Sequence, residues 1–154
     1  MGGIREVYIA NYDDVETVSA EDDQISAITM AAEKKFKKYL FRKGTSSMTS
    51  TLNVDQANGV NYVSTDLVML FSKMETAKRT EINAMATGEM AVIVKDNNGK
   101  FWYLGYDEPV MASAGDGQTG TAPSDANRYS ITLQDQSRAF PYEVEASVIE
   151  TIVD

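Results

Sequence analysis

Between Phe36 and Phe71 the chain contains three strand-like runs in succession. They are Phe36-Lys-Lys-Tyr39-Leu40-Phe41, then Ser46-Ser-Met48-Thr-Ser-Thr-Leu52-Asn-Val54, then Val60-Asn-Tyr62-Val63-Ser-Thr-Asp-Leu67-Val-Met-Leu-Phe71. The middle run alternates. Met48, Ser50, Leu52 and Val54 share one face, and Ser47, Thr49, Thr51 and Asn53 share the other. A period of two places one row against a core and the other against water. Five unbroken apolar residues, Leu67 to Phe71, end the third run and predict cover on both faces there. Asn58-Gly59 between the second and third runs accepts positive φ at both positions, so these two strands are expected to pair antiparallel.

Working outward, Met90-Ala-Val-Ile-Val94-Lys-Asp96 and Lys100-Phe-Trp102-Tyr-Leu104 flank Asn97-Asn98-Gly99, a second hairpin with the chain's largest apolar surface. Glu6 to Ala10 and Ile25 to Thr29 read as short strands, and Pro109 to Ser113 as an edge strand. Tyr129 to Gln134 and Tyr142 to Val148 alternate. Ala31 to Lys35 fits either a helical turn or a lead-in to the strands that follow. Ser72-Lys-Met-Glu75 is a capping box and Gly88 stands where a helix ends, which predicts a helix over about 73–86. Its apolar stripe of Met74, Ala77, Ile82 and Met85 is broken by Lys78 and Glu81. Such a helix belongs on a surface or against another subunit. The expected fold is therefore mainly β, an antiparallel sandwich or barrel with one short flanking α-helix, in a single domain spanning residues 1–154.

Composition excludes much chemistry. With 154 residues, 43% hydrophobic and 24% charged, the chain can bury a core without staples. It has no cysteine, which removes disulfides and thiolate ligands and suits synthesis in the cytoplasm. It has no histidine, so neither a Ser-His-Asp triad nor a histidine metal centre can form. Six carboxylates between Asp13 and Asp23 lack the ligand spacing and central glycine of an EF-hand and read as a solvated loop. Gly115, Gly117 and Gly120 spell G-x-G-x-x-G, but Pro123 and a polar run follow where a phosphate-binding helix would have to open. The stretch from Ala114 to Asn127 reads as a polar surface loop. Tyr39, Tyr62, Trp102, Tyr103 and Tyr106 suit either a sugar-stacking platform or core positions. No catalytic residue, metal ligand, cofactor site or membrane segment is expected, and the N-terminal residues lack the apolar run of a signal peptide. A net charge of −9 disfavours binding to nucleic-acid phosphates.

The strands from Phe36 to Phe71, the capped helix, Met90 to Gly105, and Tyr129-Ser-Ile-Thr-Leu-Gln with Pro141-Tyr-Glu-Val144 together resemble the tail tube proteins of bacteriophages. The manner is that of tail proteins from phages of Bacteroides-like gut hosts, and the wider kin are the ring-forming tube proteins of contractile injection and type VI secretion systems. The resemblance is one of order and texture, because these families carry no catalytic motif. It implies a structural virion protein, assembled in the host bacterial cytoplasm into commonly hexameric rings that stack around a channel for DNA. Its partners would be further copies of itself and other phage tail or head–tail proteins. DNA would pass through the lumen without sequence-specific contact. Ser47, Thr49, Thr51 and Asn53 are then the expected lumen-facing row, and Met74, Ile82 and Met85 the expected subunit interface. A head–tail connector, a capsid decoration protein and a monomeric carbohydrate-binding β-sandwich are the competing readings. If the helix is an interface, Ile82→Asp should leave a folded monomer that does not assemble, since burying an unpaired charge costs several kcal/mol. Normal assemblies of that variant in gel filtration would remove the helix from the interface.

Overall fold

The structure, a computed structural model, describes residues 4–21, 24–31, 34–40, 46–72, 87–106, 108–118, 121, 128–138 and 140–152. These residues form a mainly β fold of two sheets and one short helix. The strands are β1 (Ile4–Asn11), β2 (Val15–Glu21), β3 (Gln24–Met30), β4 (Lys37–Leu40), β5 (Ser46–Asp55) and β6 (Val60–Ser72). They continue with β7 (Met90–Asp96), β8 (Phe101–Leu104), β9 (Met111–Gln118), β10 (Arg128–Ser137) and β11 (Tyr142–Val144), and the chain closes on helix α1 (Ala146–Ile152). Seven strands make one sheet in the order β2-β3-β11-β8-β7-β1-β4, and four make the other in the order β5-β6-β10-β9.

The first core lies between the sheets. Val7 and Ile9 of β1 and Met90, Val92 and Val94 of β7 meet Leu67, Met69, Ile131 and Leu133 of the four-stranded sheet. A bulge at Arg5, where the β1–β7 register slips, turns Ile4 onto the same face as Val7 and Ile9. The second core lies on the opposite face of the seven-stranded sheet. There Tyr8, Ile93, Phe101 and Tyr103 pack against Phe36 and against Val148, Ile149 and Ile152 of α1. Phe36 is fully buried, and its amide donates to the Ile152 carbonyl at 2.8 Å, satisfying one of the carbonyls a helix end leaves over.

Several expectations from the sequence change here. The three runs from Phe36 to Phe71 do form strands, but β4 joins β1 in the seven-stranded sheet while β5 and β6 pair in the other. Leu52 and Val54 are not core residues. They are 53% and 54% exposed, because the β5–β6 hairpin runs on beyond the layer that covers its base. Among the described residues, full cover over Leu67 to Leu70 is found on one face only. Leu67 and Met69 are buried and Val68 and Leu70 half-buried, so one face meets the core. The acidic stretch is not a loop throughout, since Val15–Glu21 is β2, antiparallel to β3. The polar stretch after Ala114 begins as strand. β9 carries Gly115 and Gly117 as far as Gln118, paired with β10. A Cβ at Gly115 would sit 2.9 Å from the Ser130 carbonyl oxygen, so glycine there serves close strand approach rather than phosphate binding. The expected strand to Val148 stops at Val144 and gives way to α1. The expected helix over 73–86 lies outside the described residues, as do Met74, Ile82 and Met85 with it.

Asp96 organises the β7–β8 hairpin. Its Oδ1 accepts from the amides of Asn98 at 2.8 Å and Lys100 at 3.0 Å, and its Oδ2 accepts from Trp102 Nε1 at 3.0 Å. Gly99, at φ 83°, closes the turn, its amide donating a hydrogen bond to the Asp96 carbonyl at 3.2 Å. Partial burial pushes the Asp96 carboxyl pKa up, but the Trp102, Lys100 and Asn98 donors outweigh it and hold the pKa below its ordinary value. A depressed folded-state pKa adds stability that is full above the unfolded value and is lost as pH falls through the folded one. Asp96→Ala should therefore cost about 1–2 kcal/mol in urea unfolding at pH 7. The gap to the parent chain should narrow below about pH 4. A gap that stays constant down to pH 2.5 would assign the loss to packing instead.

Candidate functional site

The outward face of the four-stranded sheet carries the row singled out from the sequence. Ser47, Thr49 and Thr51 are exposed and Asn53 is half-buried, all on the side away from the core. Register places Val68, Asp66, Ser64 and Tyr62 of β6 beside them, and Thr132, Gln134 and Gln136 of β10 beyond. The Gln134 amide donates to Ser64 Oγ and to Asp66 Oδ1, both at 3.2 Å, and fixes this part of the surface. On the inward side the Ser50 and Thr65 hydroxyls pair with each other in a hydrogen bond of 2.9 Å. In all four strands the only basic residue is Arg128, the first of β10. Among the described residues this surface is mostly hydroxyl and amide, with the Asp66 carboxylate bonded to Gln134 and no cation in its middle.

The edges of the two sheets are treated differently. At one edge of the seven-stranded sheet β4 is four residues long and carries Lys37 and Lys38, with Lys34 and Lys35 just before it. Glu6 beside it takes the Tyr8 hydroxyl and the ammonium groups of Lys38 at 3.4 Å and Lys95 at 3.9 Å. Burial pushes the Glu6 pKa up, while the Tyr8 hydroxyl and the two lysines together bring it below the usual carboxylate range. At the other edge β2 carries Glu16 and Glu21 and meets β3 through two register shifts. Short length, charge and bulges all discourage pairing with a further strand. The four-stranded sheet has less of this protection, with Asp116 in β9 and Asp55 at the end of β5 as the charges on its edge strands. β5 is ten residues long, without Lys, Arg, Pro or a bulge, and β9 is eight residues long with one bulge opposite Thr132 and Leu133. Among the described residues neither has a strand on its outer side.

One end of the sandwich holds two adjoining clefts. A cleft of about 450 Å³ is lined by Tyr62, Glu108, Gln136, Ser137 and Arg138. Ser137 and Arg138 also border a smaller one of about 150 Å³, which reaches Tyr103, Tyr106, Asp135, Phe140 and Tyr142. Of the aromatics singled out in the sequence, Tyr62 and Tyr106 are exposed at these clefts. Tyr103 is buried at the floor of the smaller one, while Tyr39 and Trp102 are half-buried elsewhere. Burial, then the nearby Tyr12 and Asp135, pushes the Tyr103 hydroxyl pKa up, so it stays protonated. Among the described residues no group of three or more His, Cys, Asp or Glu side chains is placed to hold a metal ion.

Sequence reasoning found the β5 row but missed its extension over β6 and β10, and missed β9 as a second open edge. The alternation in Ser130, Thr132 and Gln134 was the available signal for the first; the glycines hid the second. Comparison with protein-family models, curated proteins and solved structures finds no match.

Proposed function

We propose that this chain is a structural virion protein of the tail tube kind, which joins copies of itself into rings through β5 and β9. The observation that carries the reading is the contrast between the edges, guarded on one sheet and, among the described residues, without a further strand on the other. Open edges invite a further strand, and closing a sheet into a barrel removes them. The strand directions fit such a closure. β5, β6, β10 and β9 alternate in direction, so β9 of one copy runs antiparallel to β5 of the next when both copies point the same way along a ring axis. A heterologous contact of this sort closes into a ring and leaves the ring ends free to stack.

In that arrangement the hydroxyl and amide surface of Ser47, Thr49, Thr51 and Asn53, with Ser64, Thr132 and Gln134, lines the channel. Phosphates meet no cation there, so DNA passes without being held. The net charge of −9 disfavours DNA binding but suits a DNA conduit. Rings stacked in the virion tail, in contact with other tail or head–tail proteins, are the working form, assembled in the host bacterial cytoplasm. No catalytic step is assigned.

The chain has no native cysteine, so single cysteines at Thr49 and at Thr51 are clean probes. A bulky maleimide should label both in free subunits and label them poorly within long assemblies, where only the channel ends are open. Negative-stain microscopy of the same samples should show tubes. Equal labelling in both states, or no assembly under any condition, would sink the proposal. Single rings that never lengthen would point to a connector.

A further inference from the structure

We infer that the paired clefts at the end of the sandwich form a binding site for a neutral saccharide. They share Ser137 and Arg138 as a common ridge, and the larger one falls within the range of small-molecule pockets. Aromatic rings stand on both sides of that ridge. Tyr62 borders the larger cleft. Across the ridge, Tyr106 and Tyr142 lie 4.8 Å apart between ring centres and tilted by 59°, beside Phe140. Tyr62, Tyr106 and Phe140 are 37%, 38% and 54% exposed, so their rings are open to a ligand rather than spent on the core.

The polar groups narrow the class of ligand. Glu108, Gln136 and Arg138 are planar side chains that supply acceptors, donors and a mixed amide around one opening. That set matches pairs of neighbouring hydroxyls, each of which both donates and accepts. Aromatic faces attract the C–H groups of a sugar ring on its less polar side. Charge argues against an anionic ligand. Among the described lining residues, Glu108 and the 2%-exposed Asp135 stand against one cation, Arg138, so a phosphate or nucleotide would meet like charge there. A ligand with one apolar face, many hydroxyls and no charge fits all three observations.

The test is calorimetric titration of the full-length chain, as unassembled subunits, with maltose, cellobiose and chitobiose at up to about 10 mM, which reaches weak millimolar binding. At least one should bind. Tyr106→Ala and Gln136→Ala should each weaken that binding about tenfold or more, while Lys100→Ala, in the turn at the other end of β8, should leave it unchanged. Circular dichroism and thermal unfolding of each variant separate a lost contact from a lost fold. If Tyr106→Ala unfolds, Tyr62→Ala takes its place. Absence of binding by all three sugars overturns the inference, and so does binding that both cleft variants retain. Protection of Tyr62 and Tyr106 from tyrosine-modifying reagents only on assembly, with no sugar bound, would also overturn it, by assigning the clefts to contact between copies. The titration outcomes do not depend on whether rings stack into tubes.

Discussion

The strand from Met90 to Val94 has to be apolar on both faces, and the architecture follows from that requirement. All five residues are buried, with Met90, Val92 and Val94 in one core and Ala91 and Ile93 in the other. A strand in a two-layer sandwich needs one apolar row; this one needs two, because a third layer of Phe36 and α1 covers its back. Each buried side chain of this size contributes about 1.5–3 kcal/mol. Neither core survives without β7, and the hairpin that positions it depends on the carboxylate of Asp96 and the left-handed Gly99.

Local chemistry was legible wherever the sequence encodes a turn. Asn58-Gly59 and Asn97-Asn98-Gly99 each sit in the hairpin expected of them, with β5 pairing β6 from Ser46 to Asp55 and β7 pairing β8. What the sequence did not reveal was long-range. Nothing in Lys37-Lys-Tyr39-Leu40 states that it will leave its sequence neighbours and pair with β1, since sheet membership is decided by which partner buries Phe36. Val144, Ala146 and Val148 also sustain a false alternation. The spacing of Val148, Ile149 and Ile152 is helical, and burial against β3 and Phe36 settles the matter in favour of the helix. Small residues misled in the other direction, because Ala-Gly-Asp-Gly has neither strand propensity nor an apolar row and still pairs with β10 along its length.

The candidate site was legible in one strand of four. The row from Ser47 to Asn53 is a period-two pattern that a single sequence displays directly, whereas the face it belongs to is assembled from β6 and β10, sixty to ninety residues apart in part. The functional weight of that face comes from what surrounds it. Lysines gathered on β4 and their absence from β5, β6 and β9 are a difference between sheets, and it becomes visible only when the strands have been sorted into sheets. The cleft residues were harder still, since Tyr62, Tyr106 and the stretch from Gln136 to Phe140 lie far apart along the chain and meet only at strand ends.

The position of β11 has a consequence for biosynthesis. This three-residue strand lies between β3, to which it is parallel, and β8, to which it is antiparallel, with Glu143 bonded to Gln24 and Lys100 across it at 3.0 Å each. Without it the β2–β3 hairpin has no partner in the sheet, and without α1 the second core has no lid. On the ribosome, the first third of the chain must therefore wait for residues beyond 142 to emerge before its own sheet can close. Contacts of such separation close slowly. During that wait the β5–β6 hairpin, whose pairing is local, is free to form with its edge uncovered.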